Sequence, residues 1–225
     1  MKLAGKYTAS LALLLMLGII KANAQRSNFF TENRKSFYGG FVGGANISTV
    51  NGDSYGGYHK VGFNAGGIVY VQFAEHFGTS VSLTYAQKGS RGAQLKYSMY
   101  VDSFMEKYYL DLNYVEVPVM LHYFQHPKLH VGVGAAYARL LSSSEELLTD
   151  QPVYINPDLY VFNKDEFSGL LQVAYQLGKN LFIDGRYQYS LKPVRDWDKI
   201  HVRVGYGAPG QYNGVFSFRL MYLIK

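Results

Sequence analysis

Six histidines and a scatter of carboxylates are the residues of this chain best suited to metal or acid–base chemistry. His122, His126 and His130 recur every four residues, which on a helix would align three imidazoles on one face. Pro127 and a period-two pattern on both sides exclude that helix and place the three around a turn between strands. His59 lies near Asp53, and His201 lies near Asp196 and Asp198. Barrel enzymes assemble Asp and His in this way at an outer mouth, but no nucleophile motif accompanies these, and they read as solvated loop charges. Asp111 and Asp184 lack calcium-loop spacing, and no helix follows the glycine runs to form a phosphate cradle. No catalytic residue, metal ligand or cofactor is therefore assigned.

One charge stands out for its position. In Leu112–Tyr123, Val115, Val117, Val119, Leu121 and Tyr123 form an apolar row, and Glu116 sits in the middle of the opposite row. Period two is a strand signal, and about eleven residues suffice for a tilted strand to cross a bilayer. A carboxylate on the second row fits a strand whose apolar row faces lipid and whose other row faces a barrel interior. In a narrow lumen it needs a partner. Arg186 and Arg219 fall on inward rows at comparable heights, so either or both are expected to hold Glu116. The alternative is a water-filled lumen that solvates each charge.

The surrounding pattern supplies the barrel. Seven more alternating segments are predicted: 37–48, 61–73, 78–89, 129–141, 166–177, 181–190 and 212–224. The connections alternate strictly. Those at 74–77, 124–128 and 178–180 are short, and those at 49–60, 90–111, 142–165 and 191–211 are long. Tight periplasmic turns and long external loops are the habit of outer-membrane barrels. The expected fold is all-β, an eight-stranded antiparallel up-and-down transmembrane β-barrel. Tyr70, Tyr114, Phe182 and Met221 point inward and help fill it, which argues against an open pore. A soluble lipocalin-type barrel would also alternate, but its outer row would carry Lys and Glu, which are scarce here.

Residues 1–24 read as a signal peptide: Lys2 and Lys6, an apolar centre from Leu11 to Ile20, and Ala22-Asn23-Ala24 before the cut. Residues 25–36 read as a loose periplasmic lead-in and 37–225 as the barrel. The absence of cysteine excludes disulfides, thiolate metal sites and a lipid anchor on cysteine. The three leader lysines account for half of the formal charge of +6, and the remaining +3 gives nucleic-acid binding little support. Expected partners are outer-membrane lipid and proteins that meet the external loops. The second loop mixes Tyr97, Tyr100, Phe104, Tyr108 and Tyr109 with Lys96, Asp102, Glu106 and Lys107. That composition suits an interface, or equally an extension of the flanking strands above the membrane.

Three stretches carry a family resemblance. Tyr85-Ala86-Gln87-Lys88-Gly89-Ser90, Leu112-Asn113-Tyr114-Val115-Glu116-Val117-Pro118 and the glycine-rich Tyr38–Gly44 resemble signatures of the PorT-like outer-membrane β-barrel proteins of Bacteroidetes-type bacteria. The resemblance implies an eight-stranded outer-membrane barrel with Pro118 at a local bulge. The namesake member is linked to type IX secretion. The signatures are those of the wider family, so an accessory secretion role and a barrel enzyme stand as alternatives to a structural or interaction barrel.

Overall fold

The structure is a computed structural model that describes residues 29–30, 37–53, 55–98, 101–126, 128–149, 160–200 and 210–224; for 96–98 and 101–104 only the backbone is described. The leader, most of the lead-in, Tyr100 and His201, and the side chains of Tyr97 and Phe104, lie outside the described residues.

Alternating sequence becomes alternating burial. The strands are β1 (Phe37–Asn51), β2 (Lys60–Gln72), β3 (Phe77–Ser98), β4 (Val101–His126), β5 (Leu129–Leu148), β6 (Asp165–Gln176), β7 (Leu181–Ser190), a two-residue β8 (Arg195–Asp196) and β9 (Gly210–Ile224). Each pairs antiparallel with the next from β1 to β7, β7 pairs with β9, and β9 closes on β1. Eight strands thus form a ring, with β8 attached outside it to Gly210 and Gln211. Closure leaves no strand edge facing lipid, the condition for crossing a membrane with strands. At the closing seam β1 and β9 are pressed together: a Cβ on Gly44 would sit 2.1 Å from the Phe218 carbonyl oxygen.

The outward rows are apolar and end in two aromatic girdles. The lower girdle holds Phe37, Phe73, Phe77, Tyr123, Tyr175 and Tyr222, and the upper holds Phe63, Tyr137, Phe167 and Phe216 with Tyr85 and Tyr187. Rings on neighbouring strands touch: Phe77 and Tyr123 at 5.2 Å, Phe63 and Tyr85 at 5.4 Å, Tyr137 and Phe167 at 5.4 Å. From Phe77 to Tyr85 the chain climbs roughly 19 Å at a tilt near 45°, close to the apolar band of such barrels.

Three expectations are corrected. The connections 90–111 and 142–165 are not simply loops. β3, β4 and β5 continue far above the upper girdle, and a hairpin joins β3 to β4 where the long second loop was expected. The reason is that pairing needs only backbone, and strands in water need no apolar row. Pro118 is not at a bulge. The β3–β4 ladder lapses between Val81–Val119 and Thr84–Glu116, yet the register is the same on both sides. The missing proline N–H costs a rung and no residue is inserted. The β4–β5 register shifts instead at Asn113/Tyr114 and again between Tyr123 and His126. Finally, the lead-in is not loose at Phe29 and Phe30, which are 0% and 3% exposed inside the barrel's lower end.

The upper end is covered by the external segments. Gly92 leaves room for Tyr55, whose Cβ lies 2.5 Å from where a Gly92 Cβ would be. Tyr55 stacks on Tyr108 at 4.5 Å and 7°, and its hydroxyl donates to Glu106. Gly92→Val is expected to expel Tyr55, lower stability by about 1–3 kcal/mol, and expose the 52–59 loop to protease. Limited proteolysis and urea unfolding in lipid would check both; an unchanged digest would show that Tyr55 is not the fastening.

Candidate functional site

Two places gather chemistry: the lumen and the external extension. In the lumen the inward rows of β3, β4 and β6 bring Lys88, Glu116 and Glu166 together. Lys88 Nζ lies 2.5 Å from Glu116 Oε1 and 2.8 Å from Glu166 Oε1. It also stands over the Tyr114 ring at 5.0 Å. Asn213 Nδ2 donates to Glu166 Oε2 at 2.7 Å, and Gln188 Nε2 donates to Glu116 Oε1 at 3.2 Å and to Ser168 Oγ at 2.7 Å. Below this cluster Arg219 grips Asp184 with two nitrogens, at 2.8 and 3.1 Å. Arg186 donates to Gln172 Oε1 at 2.9 Å.

Glu116, Arg186 and Arg219 are thus all buried inside the barrel, as are their neighbours, but they are not each other's direct partners. Glu116 takes Lys88, and Arg219 takes Asp184. The physical reason is cross-strand reach. Asp184 and Arg219 are register partners on β7 and β9, while Lys88 stands on the same inward row of β3 four residues above Thr84, the register partner of Glu116, and its long side chain spans the difference. Lys88 was available to sequence reasoning, since it continues the row Ser80, Ser82, Thr84, Ala86.

The six charges just named balance one another. Lys88 with two glutamates leaves one negative charge, Arg219 with Asp184 leaves none, and Arg186 supplies one positive. The lumen balances its own charges with side chains, which favours a packed interior over an ion path. Its lower floor is aromatic. Phe30 touches Phe124 at 4.5 Å, Tyr38 at 5.3 Å and His130 at 5.6 Å. His122 and His130 lie 5.4 Å apart within this layer, while His126 is exposed near the turn. Among the described residues no group of three or more His, Asp or Glu could hold a metal ion. Ser80 and His122 are 2.7 Å apart, and both are fully buried inside the barrel.

The external site is built by β3, β4, β5 and the segment before β9. Arg195, 1% exposed, clamps Glu145 with two bonds of 3.0 and 2.5 Å and stacks on Phe162 at 3.5 Å. Tyr108 donates to Glu145 at 2.6 Å. Burial, and then the charge of Glu145 and its hydrogen bond, raise the Tyr108 hydroxyl well above its ordinary range. Tyr108 therefore faces inward as part of the cap, and Tyr109 faces outward beneath the Arg91 guanidinium at 5.0 Å. Asp111 accepts from Arg91 at 2.7 Å and from Lys60. Burial pushes its pKa up, but those two cations and their hydrogen bonds outweigh it and hold the carboxyl below its usual value. Neither Arg195 nor Glu145 was singled out in the sequence. The 142–165 and 191–211 stretches read as loops, and a contact between two loops leaves no periodic trace.

The chain resembles several solved outer-membrane proteins. It is 14% identical to the attachment invasion locus protein Ail of Yersinia pestis, with 84% of this chain and 100% of that chain covered and a TM-score of 0.46. OprG of Pseudomonas aeruginosa is 11% identical, with 84% and 97% covered and a TM-score of 0.40. CarO2 of Acinetobacter baumannii is 11% identical, with 82% and 99% covered and a TM-score of 0.40. Comparison with curated proteins finds no match. Residues 23–196 match the outer membrane protein beta-barrel domain, which is more than half of the sequence. The closed ring of eight strands, its lipid-facing girdles and this match place the chain in the outer membrane protein beta-barrel domain family.

Proposed function

We propose that the protein is a closed outer-membrane barrel of structural or interaction type, which acts through the surface it raises above the membrane and not by conduction or catalysis. The observation that carries this reading is the filled lumen. Lys88, Tyr114, Phe182, Met120 and Met221 are all under 2% exposed, the charges are balanced, and Phe29 and Phe30 occupy the lower end. Eight strands leave an interior just wide enough for side chains. In this reading residues 1–24 are removed on export, the short turns lie in the periplasm and the extended strands lie outside. Planar-bilayer recording from the purified, refolded protein tests it. No stable conductance above lipid background is expected, and a persistent open channel would overturn it. Surface protease on whole cells is expected to cut within the hairpin 96–104 or between 149 and 160; cleavage only after the outer membrane is broken would reverse the topology.

Within the family, the two signatures around Lys88 and Glu116 favour a PorT-like barrel. A secretion accessory would use the same external or periplasmic surfaces, and affinity capture from native membranes distinguishes it by recovery of secretion components.

A further inference from the structure

Charge is not spread evenly round the upper rim. Two residues above Phe63, Tyr85, Val115, Tyr187 and Phe216, the outward positions are Val61, Gln87, Asn113, Tyr189 and Gly214, all uncharged. On β5 and β6 the corresponding positions above Tyr137 and Phe167 are Arg139 and Asp165, which are register partners. At about 3.3 Å per residue and a tilt near 45°, two residues raise a side chain roughly 5 Å above the ring. The headgroup region adds about 5–8 Å to each side of the hydrocarbon, so this pair stands in the layer that holds lipid phosphate.

Arg139 Nη1 and the Tyr137 hydroxyl both donate to Asp165 Oδ1 at 2.6 Å. Arg139 is half exposed and commits that one nitrogen to the pair. Lys192, just past β7, holds its Nζ 5.1 Å over the lipid-facing Phe167 ring and makes no ion pair among the described residues. Lys164, beside Asp165, is exposed as well. Three cations thus face one carboxylate, a surplus of two positive charges. Of the other carboxylates on this flank, Glu145 and Asp196 are paired with Arg195 and Lys199, and Glu166 is buried in the lumen. Glu146 lies well up β5, and Asp198 lies on the helical turn Trp197–Lys199. Above Arg139, between β5 and the segment before β6, Leu141, Ser142, Ser143 and Lys164 help line a hollow of about 250 Å³.

We propose that this sector of the rim binds a sugar phosphomonoester on the headgroup of an outer-leaflet glycolipid, an assignment that rests on the outward topology proposed above. Arg139 supplies a planar donor, and Lys164 and Lys192 supply mobile point charges. Height and outward direction select a membrane lipid. Charge selects the monoester: it carries about −1.5 to −2 at neutral pH, against the single charge of a phospholipid diester, and so matches the surplus. The hollow adjoins the cations through Lys164 and offers hydroxyls to the sugar that bears the phosphate.

Native mass spectrometry of the full mature barrel in detergent tests it. The probes are a monophosphorylated glucosamine disaccharide lipid, the same lipid dephosphorylated, phosphatidylglycerol and inorganic phosphate. The phosphorylated glycolipid is expected to bind best, and Lys192→Glu to weaken it about tenfold, the scale of one lost charge contact. Arg139→Gln is expected to weaken it similarly, and Lys192→Arg to leave it unchanged. Lys107→Glu, an exposed charge change on the distant hairpin, is expected to have no effect. Lys192 is exposed and unpaired, so its variants keep the test valid even where Arg139→Gln fails to fold. Equal binding of the dephosphorylated lipid, no loss in Lys192→Glu, or an equal loss in Lys107→Glu would overturn the site. Equal binding of phosphatidylglycerol would overturn the commitment to a sugar phosphate, and displacement by inorganic phosphate at equal concentration the commitment to lipid. Reversed topology in the surface-protease assay would refute the orientation, and a channel in the bilayer assay the closed barrel; neither would alter which probe the detergent-solubilised rim prefers.

Discussion

Lys88→Ala is expected to destabilise the folded barrel by about 3–5 kcal/mol, because it leaves two carboxylates facing each other without a cation. Glu116 is 3% exposed and Glu166 is 1% exposed, so water cannot replace the lost ammonium. Gln188 and Asn213 would still donate to the glutamates, but an amide dipole does not neutralise a charge. The cost belongs to the stranded charges and not to the four methylenes. The triple variant Lys88→Met, Glu116→Gln, Glu166→Gln is therefore expected to recover most of the loss, as uncharged replacements of buried ion clusters often do. Urea unfolding in lipid vesicles, followed by far-ultraviolet circular dichroism and gel mobility, measures both. Wild-type stability in Lys88→Ala would mean that the glutamates are hydrated and the lumen is wet.

Arg219→Ala carries a similar expected penalty for the same reason, with Asp184 as the residue left behind. Asp184 is 1% exposed and both its oxygens are held by the guanidinium, a planar match that lysine cannot copy. A double-mutant cycle between Asp184→Ala and Arg219→Ala is expected to show a coupling of about 2–3 kcal/mol, at the upper end for contacting residues. A cycle between Glu116→Ala and Arg219→Ala is expected to show much less, since their direct partners lie elsewhere. The reverse ranking would restore Arg219 as the partner of Glu116. Arg219→Lys should keep the charge but lose the fork, and fall between wild type and alanine.

The inward placement of Glu116 was legible because Val115 and Val117 flank it and period two leaves it only one face. Its partner was not, because the level at which two strands meet depends on tilt and shear, and neither is written in a single strand. Lys88 lay three residues beyond the last apolar outward residue, Tyr85, where a lysine reads as an interfacial head and not as a buried ion. The apolar rows and short turns were legible because lipid enforces contrast between the two rows. Above the upper girdle that contrast disappears. Gln94, Glu106 and Lys107 lie on strands wet on at least one side, so charge there looked like loop. Phe29-Phe30 escaped for a different reason: two residues cannot show a period.

That pair has a consequence for the order of assembly. Phe29 and Phe30 together touch Tyr38, Tyr70, Phe124, His130 and Phe182, on five different strands. The Phe29 amide donates to Gln176 on a sixth, at 3.2 Å. No two neighbouring strands alone provide such a nest, so it exists only after the ring has curved round and β9 has found β1. The pair lies only a few residues before β1 in the sequence, so little entropy separates it from its seat once that seat exists. The pair behaves as a keystone, with nothing to grip while the arch is incomplete. Once seated, it makes reopening of the seam cost the burial of two aromatic rings as well as the backbone ladder.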